Sequence, residues 1–331
     1  MADNIDVLLI NPGDRKQIYQ DLGDEFSAIE PPVFAGLFAT FLRQKGHSVN
    51  IYDAPAMMAS TDEVVRVATE DYSAKLIVLV VYGLQPSAST QNMTAAGDIA
   101  RKIKDFGGGN KIMMTGTHPA ALPLETMLSE AVDFVVDLEG PVTIYKVLKY
   151  LLEGRDDFDN IPSLWWRDGN KVVAPKSAEP LLTDLDAVMP GIAWDLLPME
   201  KYRAHNWHCF DHINDRSPYA SIHTSLGCPF KCSFCCINAP FGKSSYRTWS
   251  PDCVIKEIDY LVERYGVKNI KFVDEMFVLN RAHVLSLCKL LKNRDYNVNI
   301  WAYARVDTVQ DQFLDHLIDS LSGWTWVISN M

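Results

Sequence analysis

The residues with the clearest chemistry are three cysteines in one short segment, Cys228, Cys232 and Cys235. Their C-x3-C-x2-C spacing lets the three thiols face a common point only if the chain curls into a loop around it. Gly227 permits a sharp entry into such a loop. Thiolates bind the irons of an iron–sulfur cluster, and three ligands for the four irons of a cubane leave one iron open to a substrate. The spacing therefore predicts a cubane cluster in this loop.

A structural zinc knuckle is the alternative, because Cys236 adds a fourth close thiol. Zinc sites usually pair their ligands as two separated C-x2-4-C units, and the chain has no second pair of this kind. Adjacent side chains at 235 and 236 also point apart. The pattern favours the cluster and leaves Cys236 as a bystander. Cys209, Cys253 and Cys288 are expected to be ordinary small buried residues.

The C-x3-C-x-Phe-C loop resembles the signature of the radical S-adenosylmethionine (SAM) superfamily. In that superfamily the open iron chelates the methionyl group of SAM, and one-electron reduction cleaves SAM to a 5′-deoxyadenosyl radical. The resemblance implies that Cys228, Cys232 and Cys235 bind a [4Fe-4S] cluster, with Phe234 beside the adenine.

Composition sets the broad class of the protein. At 331 residues with 48% hydrophobic content, the chain can bury the cores of two domains. The net charge of −11 disfavours a nonspecific nucleic-acid binder, which needs a basic face. No apolar run is long enough to cross a membrane, and no signal peptide is visible. No cysteine precedes Cys209, unlike the pattern of a disulfide-stapled secreted protein. These features predict a cytoplasmic protein.

The first half of the chain alternates predicted strands and helices. Apolar runs at 7–10, 49–52, 76–81, 111–114 and 132–136 predict five strands, each followed by a loop. Helical stripes lie between and after them, the last over 141–152. This order predicts an α/β fold with an open, doubly wound parallel sheet of the Rossmann-like type. Neither a G-x-G-x-x-G fingerprint nor a P-loop is present.

The rest of the chain divides into a linker and a second α/β region. We expect a linker over 155–216, which contains a β-hairpin on the turn Asp168-Gly169. Residues 217–331 resume the alternation, with helices at 251–265, 281–292 and about 308–320. Strands are predicted at 219–224, 269–273 and 298–302, with a further apolar stretch at 324–328. The predicted domains are therefore 1–154, 155–216 and 217–331, the last a partial TIM-like barrel.

A parallel sheet ahead of the cysteine loop resembles the cobalamin-binding domain of the cobalamin-dependent radical SAM family. The loops that carry this resemblance follow predicted strands, where ligands of α/β sheets bind. The resemblance implies cobalamin contacts from these loops, at Gly83, Gly116, Thr117, His118, Glu139 and Gly140.

The lower face of the cobalt lacks an obvious ligand. Corrinoid domains of the methionine-synthase type supply the histidine of a D-x-H-x-x-G motif, and this chain has no such motif. His118 is a possible axial ligand, although a role in shaping its loop or binding a propionamide is favoured.

Two further segments resemble SAM-binding segments of the family. Asp274 and Glu275 follow a predicted strand, where a carboxylate accepts hydrogen bonds from the ribose hydroxyls or the methionyl ammonium of SAM. The alternative is a helix cap or a solvated pair of carboxylates. Arg305 precedes Val306 and Asp307, and either pairs with the SAM carboxylate or bridges Asp307.

The resemblance implies an enzyme that methylates an unactivated carbon, with SAM, cobalamin and a [4Fe-4S] cluster as cofactors. Radical rearrangement or oxidative cyclisation is the runner-up. A binding module without catalytic activity is the third reading, since the strands near Ile222, Ile270, Ile300 and Trp326 supply fewer βα units than a full radical SAM barrel. The sequence therefore predicts either a fragment of a longer protein or a barrel completed by a partner. The implied partners are a small-molecule or natural-product substrate and an electron donor such as a flavodoxin or ferredoxin.

Overall fold

The computed structural model describes residues 2–13, 27–83, 86–107, 109–206, 214–294, 296–308 and 328–329. Within these ranges, no helix combines the length and apolar character that a bilayer crossing requires.

The first sheet has seven strands in the order β2-β1-β3-β4-β5-β6-β7. The pairs among β1 to β5 are parallel, as the sequence predicts, and the strand order is that of a doubly wound fold. Central strand β3 is buried through its apolar run at 76–81, which is what a parallel strand covered on both faces requires. The strands are β1 Asp3–Asn11, β2 Val49–Asp53, β3 Tyr72–Val81, β4 Lys111–Gly116, β5 Phe134–Val136, β6 Leu164–Asp168 and β7 Lys171–Val173.

Helices cover both faces of this sheet. One apolar cluster packs under the helices Val33–Gln44 and Pro141–Leu152. A second cluster, on the opposite face, packs under the helices Thr61–Arg66 and Pro86–Phe106. Ser60 caps α3 by accepting a hydrogen bond from the backbone N–H of Glu63. The helices of this half are α1 Val33–Gln44, α2 Ala54–Met57, α3 Thr61–Arg66, α4 Pro86–Phe106, α5 Thr117–Ala121, α6 Pro123–Ser129 and α7 Pro141–Leu152.

The hairpin that we assigned to the linker is part of the first sheet. Strand β6 pairs antiparallel with β5, and β7 pairs antiparallel with β6. Between Val173 and Tyr202 the chain forms the short helix α8 Leu185–Val188 and the 3-10 turns Trp194–Leu196 and Met199–Lys201. The side chains of Trp194 and Trp249 join this stretch to the second region, since Trp194 Nε1 donates to Glu257 and Trp249 Nε1 donates to the carbonyl of Met189. The division at 154 and 216 stays a prediction.

The second sheet is parallel, in the order β13-β12-β11-β8. Its helix α9 begins after Ser250, whose side chain accepts from the N–H of Cys253. The helices at 251–265 and 281–292 are confirmed, whereas the helix predicted at about 308–320 lies outside the described residues. The elements of this half are β8 Tyr219–Ile222, β9 Ser225–Leu226, β10 Arg247–Thr248, α9 Pro251–Tyr265, β11 Asn269–Phe272, α10 Arg281–Lys292, β12 Asn299–Tyr303 and β13 Ile328–Ser329.

A buried ion pair connects the two halves of the chain. Glu30, just before α1, accepts from Lys271 Nζ on β11 at 3.0 Å. Tyr219 and Ser221 on β8 each donate to Oε2 of Glu30 at 2.7 Å. The ammonium of Lys271 also lies 5.1 Å from the ring centre of Trp301. Burial raises the pKa of Glu30, but Lys271 and the two hydroxyls outweigh it, so the pKa of Glu30 is lowered overall.

Breaking this pair should be costly. Glu30→Ala leaves the Lys271 ammonium buried without its carboxylate, and we expect a loss of about 3–5 kcal/mol in the free energy of unfolding. The double variant with Lys271→Met should lose much less than the sum of the two single changes. Urea unfolding of the four proteins measures the coupling, and strictly additive losses would contradict the pairing.

A second buried carboxylate predicts a pH dependence of stability. Burial raises the pKa of Glu257 to about 7 from an ordinary value of 4.5, although Ile192 N–H and Trp194 Nε1 donate to its Oε1. Between these pH values the folded chain holds a proton that the unfolded chain has released. The free energy of unfolding therefore falls as the pH rises from about 4.5 to about 7.

The isosteric change Glu257→Gln keeps the acceptor oxygen and removes the titration. We expect the variant to gain stability relative to the native chain as the pH rises from about 5 to about 8. Urea midpoints across this range measure the effect, and two parallel pH profiles would contradict it.

Candidate functional site

The cysteine loop leaves the carboxyl end of β8 and β9. Gly227 enters it at φ +84°, and a Cβ there would lie 2.7 Å from the carbonyl oxygen of Ser245. Only glycine fits this close, left-handed position. The N–H of Cys228 donates to Asn238 Oδ1 at 3.2 Å, and the N–H of Cys235 donates to the carbonyl of Cys232 at 3.1 Å. These bonds curl the loop as the spacing predicts.

The three thiols differ in burial and affect one another. Cys228 is buried, whereas Cys232 and Cys235 are exposed. Burial raises the pKa of the Cys228 thiol, and the charges of Glu275, Cys235 and Cys232 raise it further. A thiol with a raised pKa keeps its proton near neutral pH until a cation replaces that proton. Cys228 therefore keeps its proton more readily than a free thiol does, until a bound metal replaces that proton.

The spacing of the donors bears on the zinc alternative. Among the described residues, no three His, Cys, Asp or Glu side chains are close enough to share one metal ion. A cubane cluster presents separate irons to separate thiolates, so this arrangement is compatible with a cluster. Cys236 is exposed, Cys288 is buried, and Cys253 Sγ lies 3.2 Å from the carbonyl of Pro190. Cys209 lies outside the described residues.

A cleft opens beside the exposed thiols. Its volume of about 580 Å³ falls within the range of ligand pockets. Phe234, expected beside the adenine of SAM, is 91% exposed at the edge of the loop. The cleft is lined by Lys231, Cys232, Cys235, Asn238, Ala239, Gly242, Lys243 and Ser244.

The structure distinguishes the two carboxylates that the sequence leaves equivalent. Asp274 is fully buried and accepts from the N–H of Thr224 at 2.6 Å, the hydroxyl of Thr224 at 2.5 Å and the hydroxyl of Ser225 at 2.9 Å. These bonds fix Thr224 and Ser225, which lie between β8 and the loop entry at Gly227. Asp274 thus has no oxygen directed at a ligand.

Glu275 has a different environment. Its Oε2 is buried but has no hydrogen-bond partner among the described residues. Burial raises the pKa of Glu275 to about 7, although His223 lowers it. The charge of Glu275 also raises the pKa of the Cys228 thiol in the cysteine loop. A buried carboxylate oxygen without a partner can accept a hydrogen bond from a hydroxyl or an ammonium donor of a ligand.

Arg305 forms an ion pair with Asp307 and also contacts the cysteine loop. Its Nε and Nη2 bind the two carboxylate oxygens of Asp307 at 2.9 and 2.7 Å. The guanidinium lies 3.9 Å from the ring centre of Phe230, within the cysteine loop. Arg305 therefore lies beside the thiols while both of these donors are engaged by Asp307.

The loops of the first sheet lie along its carboxyl edge. Gly83 follows β3. Gly116 has φ +149°, and a Cβ there would meet the carbonyl oxygen of Val81 at 2.0 Å, so the approach of β4 to β3 itself requires glycine. Thr117 is buried at the start of α5. The Nδ1 of His118 lies 3.1 Å from Thr90 Oγ1, which holds the ring against α4.

Glu139 joins the two halves. Its Oε1 accepts from Arg247 Nη1 at 2.6 Å, and its Oε2 accepts from the N–H of Leu182 at 2.8 Å. Gly140 comes next and packs against Phe38. The sequence predicts a cobalamin contact at Glu139, but both of its carboxylate oxygens already accept hydrogen bonds, from Arg247 on β10 and from Leu182. Sequence reasoning missed Arg247, for which the chain gives no signal beyond its position after the cysteine loop.

An aromatic contact brings the two carboxyl edges together. The rings of Phe34 and Tyr82 stack with centres 3.8 Å apart, and Phe34 lies 5.3 Å from His223 at the end of β8. Helix α5 also packs against the 3-10 turn Ala239–Phe241, which follows the cysteine loop. The candidate corrinoid edge and the cysteine loop therefore border the same interface.

Comparisons with known proteins agree with this organisation. Residues 19–148 match the family model of the B12 binding domain. The chain is 28% identical over 312 residues to the uncharacterized methyltransferase PH0819 of Pyrococcus horikoshii. The alignment covers 92% of this chain and 61% of that protein. It is 27% identical over 316 residues to the anaerobic magnesium-protoporphyrin IX monomethyl ester cyclase of Rubrivivax gelatinosus, with coverage of 93% and 52%.

A solved structure shares the fold. The radical S-adenosylmethionine methyltransferase TsrM from Kitasatospora setae, with tryptophan substrate and a SAM analog bound, has a TM-score of 0.71 at 19% identity. The match covers 98% of this chain and 58% of that chain. The chain thus spans between half and two thirds of the length of these three proteins.

The two adjacent carboxylates should respond differently to truncation. Asp274→Ala removes the acceptor of three buried donors, and we expect a loss of about 2–4 kcal/mol in the free energy of unfolding. Glu275→Ala should cost less than about 1 kcal/mol, since its buried oxygen has no partner to lose. Urea unfolding at neutral pH compares them, and equal losses would contradict the assignment.

Proposed function

We propose that this chain, with its B12-binding match and its cysteine loop, is a cobalamin-binding radical SAM protein that methylates an unactivated carbon of a small-molecule substrate. The observation that carries the proposal is the shared interface. The cysteine loop and the carboxyl edge of the B12-binding sheet meet there, through Phe34, Tyr82 and His223. Two cofactors bound at these places would face each other.

On the cysteine side, Cys228, Cys232 and Cys235 would hold a [4Fe-4S] cluster. When bound, the cluster with SAM supplies the radical that activates the substrate, and cobalamin supplies the methyl group. Phe234 is exposed in the cysteine loop, between Cys232 and Cys235, where an aromatic ring can stack on an adenine. Cys236 has no role in this assignment.

Glu275 would bind the amino or ribose group of SAM. As a carboxylate it accepts hydrogen bonds at both oxygens, and a bound ammonium would lower its raised pKa. Asp274 would act indirectly, by holding Thr224 and Ser225 and hence the start of the loop. Arg305 would place a positive charge beside the cysteine thiols while it bridges Asp307.

On the corrinoid side, cobalamin would contact the loops that follow the strands of the first sheet. These loops are at Gly83, Gly116–His118 and Glu139–Gly140. His118 has one ring nitrogen directed at Thr90, which fits a role in shaping its loop. Glu139 would contribute through its backbone and its bond to Arg247 rather than through a free carboxylate.

We further propose a cytoplasmic protein that receives electrons from a flavodoxin or ferredoxin. The six cysteines of the described residues are all unpaired, as expected in a reducing compartment. Two lysines, Lys231 and Lys243, line the cleft beside the exposed thiols and would attract an acidic donor.

Oxidative cyclisation is the second candidate. It is supported by the cyclase of Rubrivivax gelatinosus, which aligns with 93% of this chain. A binding module without turnover is the third, because the activity of the longer relatives can depend on parts that this chain does not match.

One experiment separates the three. Anaerobically purified, iron-reconstituted protein is given hydroxocobalamin, SAM and a strong reductant, and 5′-deoxyadenosine and S-adenosylhomocysteine are quantified by chromatography. Methyl transfer predicts both products, and cyclisation predicts deoxyadenosine alone. Cys232→Ala should abolish both products because it removes a cluster ligand, and Cys236→Ala is the matched control that should retain them.

Protein that contains the cluster but yields neither product would support the binding module. Equal loss of deoxyadenosine in Cys232→Ala and Cys236→Ala would contradict the assignment of the cluster ligands.

A further inference from the structure

Arg247 uses only part of its guanidinium. Nη1 donates to Glu139 Oε1 at 2.6 Å and to the carbonyl of Leu182 at 2.7 Å. Nε and Nη2 are buried and have no hydrogen-bond partner among the described residues. The side chain is 12% exposed, so these donors have also lost most contact with water. A buried N–H without a partner costs about 1–3 kcal/mol, more when it is charged.

The unpaired atoms form one edge of the guanidinium, the edge that grips two oxygens at once. Among the described residues, Arg294 and Arg305 place this edge on a carboxylate. Arg294 binds Asp259 through Nε at 2.8 Å and Nη2 at 2.9 Å. Arg305 binds Asp307 through the same two atoms. Arg247 has this edge in place without an oxyanion on it.

Neutralising Glu139 does not explain an arginine at this position. One donor on Nη1 already serves Glu139, and a lysine ammonium would do the same without burying a second pair of donors. The hydroxyl of Ser245, two residues earlier, is likewise buried without a hydrogen-bond partner in the described part of the chain. The backbone of Ser245 lies against Gly227, at the entry of the cysteine loop. The unpaired donors therefore lie between that loop and the corrinoid edge.

We propose that the Nε–Nη2 edge of Arg247 binds an oxyanion of a bound cofactor, a carboxylate or a phosphate. The inference rests on the proposed function, since it requires a cofactor at this interface. A planar fork and a two-oxygen anion match in geometry, and exclusion of water strengthens the attraction. The ring centre of Phe241 lies 5.1 Å from the guanidinium carbon, in the 3-10 turn that follows the cysteine loop.

Two sources can supply the oxyanion, the carboxylate of SAM and the phosphodiester of cobalamin. Each has an analogue without it: decarboxylated SAM lacks the carboxylate, and cobinamide lacks the nucleotide loop and its phosphodiester. Dissociation constants of all four probes are measured on the anaerobic, cluster-containing protein, by corrinoid absorbance and by equilibrium dialysis. Arg247→Lys keeps a charge for Glu139 but lacks the fork. Arg294→Lys is the matched control, since it alters the same kind of pair elsewhere.

We expect Arg247→Lys to weaken one oxyanion-bearing probe by about 10- to 100-fold and to leave its analogue unchanged. Weakening of cobalamin but not cobinamide identifies the phosphodiester, and weakening of SAM but not its analogue identifies the carboxylate. Arg294→Lys should change neither. Iron content and thermal unfolding establish that each variant is folded.

The inference is overturned if the native protein binds cobalamin and SAM but Arg247→Lys binds all four probes as the native protein does. If the variant does not fold, the native protein decides the matter alone. Equal affinity for each cofactor and its analogue would then overturn the inference. A native protein that binds neither cofactor would overturn the proposed function as well, so the two failures are distinguishable.

Discussion

Buried ion pairs that cross between the two halves set the geometry of this molecule. Glu139 comes from the loop after β5 and Arg247 from β10, and neither half satisfies its own charge. Glu30 and Lys271 repeat the arrangement. Removing such charges from water costs several kcal/mol per ion, which only a well-placed partner offsets. The halves are therefore held in one position, because sliding would leave a carboxylate or a cation buried alone.

This constraint explains why the loops of two separate sheets come together. A parallel sheet collects its loops at the carboxyl ends of its strands, but each sheet does so independently. The Glu139–Arg247 pair joins a loop of the first edge to the strand that follows the cysteine loop. The stacked rings of Phe34 and Tyr82 then extend the contact toward His223. Packing between the halves thus creates the site, which belongs to neither sheet alone.

Much of the fold follows from local patterns in the sequence. Apolar runs and helical stripes give the strands and helices, and α9 and α10 lie where the pattern places them, because caps at Ser250 and Asn280 are local signals. The pairing of β6 with β5 does not follow, since a hairpin signal fixes its turn but not its neighbour. The cysteine loop can also be predicted from the sequence, because its three cysteines lie within eight consecutive residues, 228–235.

The roles of single polar residues at the site depend on distant partners and could not be predicted. Asp274 and Glu275 are adjacent carboxylates in the sequence, yet Asp274 accepts hydrogen bonds from Thr224 and Ser225, whereas Glu275 has one oxygen without a partner among the residues that the structure describes. Glu139 appears as a free carboxylate until Arg247 is placed beside it. A carboxylate is structural where the fold supplies donors to it and available for binding where the fold leaves it unpaired. Motif resemblance locates such residues, whereas tertiary contacts decide which of them a ligand can use.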